Sequence, residues 1–101
     1  MLEARYRGRL PGSLDELAGP ATGVVRLPLH VAWSGLTAFD LTSPRPRMTL
    51  YRIVLAEGQR ADILRCLNRD LLLSQWPVLR VLIGRHVSKV WEAAFPELSP
   101  V

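Results

Sequence analysis

Residues 85–95 read Arg85-His86-Val87-Ser88-Lys89-Val90-Trp91-Glu92-Ala93-Ala94-Phe95. Val87, Val90, Trp91, Ala94 and Phe95 recur at three- and four-residue spacing, while Ser88, Lys89 and Glu92 fall opposite. That period is the signature of an amphipathic helix with one buried face, and Pro96 ends it. Trp91 and Phe95 are the expected core anchors. Working back from this helix, Gly84 closes an apolar segment at 78–83. Pro77 disfavours helical geometry at Trp76, so 70–75 reads as a separate short helix. Residues 59–68 form another, with Ile63, Leu64, Cys66 and Leu67 on one side and Asp62 and Arg65 opposite.

The helix at 47–57, stopped by Gly58, has a different pattern. Met48, Tyr51 and Leu55 share one face, and Leu50, Ile53 and Val54 lie on another. A helix apolar on two sides is buried on both, or is half-buried and half in an interface. Thr42 or Ser43 is its expected N-cap, with proline tolerated in the first turn. Residues 35–46, including Phe39-Asp40-Leu41, read as a loop.

Towards the N-terminus the period changes. Tyr6, Gly8 and Leu10 alternate with Arg5, Arg7 and Arg9, which suggests a strand with an arginine-lined face. Ser13 can cap a short segment at 14–18, with Glu16 at the capping-box position. Residues 23–27 read as an extended partner for 4–10, and 28–34 are ambiguous between strand and helix because Pro28 suits a strand edge or a helix start. The expected fold is mostly α. It is a single small domain of about five short helices with a short N-terminal β-strand pair, extended over 1–34 and helical over 44–96.

Composition narrows the function. The chain has 101 residues, 49% hydrophobic and 22% charged, which suits one globular domain. Mean hydropathy is +0.13, apolar enough for part of the surface to serve a partner. Twelve arginines and one lysine oppose nine acids, for a net charge of +4. Seven of the arginines lie in residues 1–55, against four acids. A lone cysteine, Cys66, excludes an internal disulfide and fits a reducing cytosol. No apolar run reaches the roughly 20 residues of a membrane span, and no secretory leader is legible.

Candidate chemistry is sparse. His30, His86 and Cys66 follow no metal-ligand spacing, so neither metal nor cofactor is expected. No phosphate loop, dinucleotide fingerprint or nucleophile elbow occurs, and Asp15 and Glu16, adjacent in a helical segment, point apart. The chain is not expected to be an enzyme. Arg5, Arg7 and Arg9 on one strand face suit phosphates or a carboxylate-lined cleft, or else a solvated edge that discourages aggregation. Arg45, Arg47 and Arg52 gather at a helix start, where the dipole opposes positive charge. A helix-turn-helix reading of 60–95 would make 85–95 the reading helix, offering Arg85, Ser88, Lys89 and Glu92, although Pro77 falls awkwardly for it.

Four stretches carry a resemblance. They are Leu27-Pro28-Leu29-His30-Val31-Ala32-Trp33-Ser34-Gly35, then Phe39-Asp40-Leu41, then Leu50-Tyr51-Arg52-Ile53-Val54-Leu55-Ala56-Glu57-Gly58, and finally Val90-Trp91-Glu92-Ala93-Ala94-Phe95-Pro96. Across roughly residues 5–98 the chain resembles small actinobacterial proteins encoded beside nucleotidyltransferase-like toxins of the abortive-infection type. The resemblance implies an antitoxin, a cytoplasmic location and a cognate toxin as partner, and it brings no catalytic residues. Many antitoxins of this type carry a winged-helix domain, which is not evident here. Contact with nucleic acid and self-association are both left open, and a membrane is not a partner.

The expected partner-binding set is Arg5, Arg7, Arg9, Arg45, Arg47, Leu50, Ile53 and Val54, facing an acidic protein surface. The alternative is a small DNA-binding transcriptional regulator. Cys66 shares its helix face with Ile63 and Leu67 and is expected to be a buried, inert thiol. Cys66→Ala should therefore leave partner binding intact and cost at most about 2 kcal/mol in denaturant unfolding.

Overall fold

Pro44 and Pro46 occupy the first turn of one of the two longest helices, where a missing N–H costs nothing. In a computed structural model, which describes residues 7–27 and 38–98, that helix is α1, Pro44–Glu57. Ser43 is its N-cap by backbone geometry alone. Thr42 instead donates its hydroxyl and its N–H to Asp40 Oδ1, at 2.7 and 3.0 Å, in the turn that leads in. Three further helices follow: α2 (Arg60–Cys66), α3 (Arg69–Leu82) and α4 (Arg85–Ala94). Short 3-10 turns lie at Leu14–Glu16 and Pro96–Leu98.

The described residues thus hold four α-helices, not about five, because 70–75 and 78–83 run together as α3. Pro77 sits on the exposed side of the helix, where its ring meets no core side chain. Trp76 before it is buried and stacks on Trp91 at 6.5 Å between ring centroids. Tertiary packing of this large side chain overrides the local bias against helix before proline.

The β element also differs from expectation. Strand β1, Val24–Arg26, pairs antiparallel with β2, Ala38–Asp40, in the register Val24↔Asp40, Val25↔Phe39 and Arg26↔Ala38. The partner described for β1 is therefore β2 and not the 7–10 part of the expected strand, and part of the β element lies beyond 1–34. Arg7 is helical and Gly8 and Arg9 form a turn after it, with Leu10 N–H donating to Arg7 O at 3.2 Å. Gly8 and the following Pro11-Gly12 favour that bend over continued extension. Residues 4–6 and 28–34 lie outside the described residues. Ser13 does cap the first 3-10 turn, accepting from Asp15 N–H, while Glu16 reaches past it to Gly12 N–H at 3.2 Å.

A continuous core runs from Leu14 to Leu98, and its centre is α1. Leu50, Tyr51, Val54 and Leu55 are all buried there, because α1 packs on β2, α2 and α3. Val25 and Phe39 put the inner face of the sheet into the same core, and α4 adds Val87 and Trp91. Trp91 stacks in turn on Phe95 at 5.4 Å. Cys66 is fully buried beneath α2, and its thiol is pushed above its ordinary pKa by that burial.

The segment after the first 3-10 turn is pinned to the end of α2 by backbone contact. Ala18 N–H donates to Leu64 O at 2.8 Å and Gly19 N–H to Leu67 O at 2.9 Å. A Cβ on Gly19 would run into the Cys66 carbonyl, so glycine is required by proximity. Gly19→Ala should lower stability by about 1–3 kcal/mol in urea unfolding, because backbone must shift to admit the methyl. Gly12→Ala, where the added carbon meets only the flexible Glu16 side chain, should cost less.

Candidate protein-binding surface

The arginines expected to meet a partner are partly absorbed by the fold. Arg9 is buried, at 8% exposure, and its Nη1 donates to Ala56 O at 3.0 Å. Ala56 belongs to the last turn of α1, whose carbonyls lack helical partners and carry the negative end of the dipole. Arg9 is therefore a cap for α1. It shares no strand face with Arg7, which is helical and exposed. Arg5 lies outside the described residues. Arg45 and Arg52 are exposed. Arg47 bends inward, its Nε 3.4 Å from Gln75 Oε1 and its Nη1 3.4 Å from Leu41 O, and so bridges α1 to α3 and to the end of β2. Leu50 and Val54 have no exposed surface, and Ile53 is half-buried against the core. Of the expected set, then, Leu50 and Val54 are out of a partner's reach, and Arg9 and Arg47 are engaged within the chain. The second apolar face of α1 was filled by the chain itself.

The surface that stands out is on α3. Val78, Val81 and Leu82 on α3 are 53%, 70% and 46% exposed. Their i, i+3, i+4 spacing sets them side by side on the face opposite Trp76 and Leu79. No described element covers them. The apolar run 78–83 is legible in sequence, and its being apolar nearly all round is the one signal that could have marked a partner face.

Next to this row, α3 and α4 meet at Ile83-Gly84, with Gly84 at φ 90°, a left-handed conformation that favours glycine. The two helices bound an open cleft of about 490 Å³, lined by Arg80, Val81, Arg85, Ser88, Lys89 and Glu92. Its base is a charged latch. Glu92 Oε2 accepts from Arg80 Nε at 2.7 Å and from Trp76 Nε1 at 2.9 Å. The Arg80 hydrogen bond, helped by that of Trp76, holds the Glu92 carboxyl below the usual carboxylate range. Of the residues expected to face outward from this helix, Glu92 is thus turned back onto α3. Ser88 is buried, with its hydroxyl donating to Arg85 O at 3.2 Å. Arg85 and Lys89 remain exposed at the rim, and neither has an ion-pair partner among the described residues.

His86 is exposed on α4, and His30 lies outside the described residues. Among the described residues no three His, Cys, Asp or Glu side chains gather to hold a metal, and no helix is long and apolar enough to cross a membrane. No family model, no curated protein and no solved structure matches the chain.

The latch makes the α3–α4 geometry depend on pH. A carboxyl whose pKa is depressed in the folded state stabilises it above the unfolded value, ordinarily about 4.5, and the gain is lost as pH falls through the folded value. Glu92→Gln should cost about 1–2 kcal/mol at neutral pH, between an exposed ion pair and a charged hydrogen bond. The gap from wild type should close below pH 4.5. Urea unfolding at a series of pH values measures both, and a gap that persists unchanged into acid would deny the carboxylate this role.

Proposed function

We propose that the chain is an antitoxin-like binding protein that neutralises a cognate nucleotidyltransferase-type toxin by direct contact. The observation that carries this reading is the exposed apolar row Val78, Val81 and Leu82 beside Arg85 and Lys89, cations without an ion-pair partner among the described residues. Exposed apolar side chains in contact with one another are characteristic of surfaces that meet another protein. The toxin class comes from the sequence resemblance. Enzymes of that class use metal-binding carboxylates, and a cationic rim suits the acidic border of such a site. The same reading makes the protein cytoplasmic, without a cofactor and without catalysis of its own.

The test is co-expression with the product of the adjacent open reading frame. That product alone should arrest growth. The chain should restore growth and co-purify with the product through a salt wash. A neighbour that is harmless alone, or arrest that the folded chain leaves unrelieved, would reject the reading.

A further inference from the structure

We infer that the α3–α4 face is a docking site for an acidic amphipathic helix of the partner, with apolar residues on Val78, Val81 and Leu82 and carboxylates at Arg85 and Lys89. The inference rests on the protein-binding reading above, though not on the partner being a toxin.

Two features of the face select this occupant. The first is shape. The apolar row runs along one helix for only about one turn, and the cleft beside it continues between α3 and α4. A ridge of side chains at i, i+3, i+4 and i+7 on an incoming helix matches such a row and groove. The second is charge. Arg80 is occupied by Glu92, so its charge is answered inside the chain. Arg85 and Lys89 have no acid among the described residues and so offer their charge to an outside one. They line the same cleft as Val81, so one ligand reaches both the apolar and the cationic part.

The rival occupants fit less well. A second copy of this chain, meeting the first by the same face, would bring two more cations and no free carboxylate to answer Arg85 and Lys89, because Glu92 is already held by Arg80. A nucleic acid would accept the two cations but would place phosphates against exposed valines, which gain nothing from them.

The test uses the full chain, labelled with nitrogen-15, and two synthetic helical peptides. Both peptides carry one leucine stripe, flanked in one by glutamates and in the other by lysines. The glutamate peptide should bind and shift amide resonances over 77–89. The lysine peptide should bind at least about tenfold more weakly. Val81→Asp lies on the surface and should keep the native circular dichroism while losing at least about tenfold in affinity for the glutamate peptide. The double variant Arg85→Glu, Lys89→Glu should invert the preference between the peptides. Equal binding of the two peptides, no binding of either, or shifts mapped elsewhere would overturn the docking site. So would a short mixed-sequence DNA duplex that shifts the same amides and outcompetes the glutamate peptide. Toxin neutralisation that survives Val81→Asp would put the interface elsewhere while sparing the proposed function. Peptide binding in a chain that rescues no growth would do the reverse.

Discussion

Asn68 is the residue on which three separate segments converge, and the packing of the domain depends on it. Its backbone N–H donates to the Tyr51 hydroxyl at 2.9 Å, its side-chain nitrogen donates to Gly19 O at 3.3 Å, and its side-chain oxygen accepts from Leu71 N–H at 3.1 Å. One residue thus caps α3, fixes the N-terminal segment and ties both to the middle of α1. Tyr51 has no exposed surface, so its hydroxyl needs a partner, and burial pushes its pKa up to about 12. A small core has little apolar area to spare for orphaned polar groups. Here the break between α2 and α3, where the ladder must be interrupted, supplies the N–H that the buried phenol accepts.

The helices were legible in the sequence where the apolar period was clean and the ends carried their own stop signals. The stretch 85–95 is such a case, and α4 runs over Arg85–Ala94. The expected helix at 59–68 holds as the shorter α2, where Gln59 and Asp62 exchange backbone and side-chain bonds as a capping box. The β element was not legible, for a physical reason. Three-residue strands are too short to display a period of two, and Phe39 is flanked by turn-forming residues. The alternation at 4–10 reads as a strand more clearly than the strands themselves do, yet its described part, 7–10, is not extended. What decides between them is a contact 47 residues away, the bond from Arg9 to the end of α1. No local pattern encodes it.

Proline gave the opposite lesson at position 77. The local rule against helix at Trp76 is sound on average, but its strength is comparable to that of one well-buried aromatic side chain. Trp76 donates to Glu92 and packs on Trp91, so the helix is held on both sides of the proline. The candidate surface depends on that continuity. The three residues would align in a separate helix over 78–83 as well, but continuity with buried Trp76 sets the rotation of that helix, and so turns Val78, Val81 and Leu82 outward while Leu79 points in.

The latch at Glu92 joins the fold to the surface. It binds Arg80 on α3 from a position on α4 and thereby sets how the two helices stand to each other. That relation decides whether Val81 and Lys89 share one cleft. It also divides the cations: Arg80 on α3 is used to hold the helices, and Arg85 and Lys89 on α4 are left outward. Sequence alone placed Arg85, Lys89 and Glu92 together on one exposed face, because helical period reports which residues are neighbours and not which of them fold back onto another element. The distinction matters for recognition. A face offering both signs of charge would suit a mixed partner, whereas one whose acid is already paired internally presents only positive charge beside its valines, and so favours acids over bases in whatever docks there.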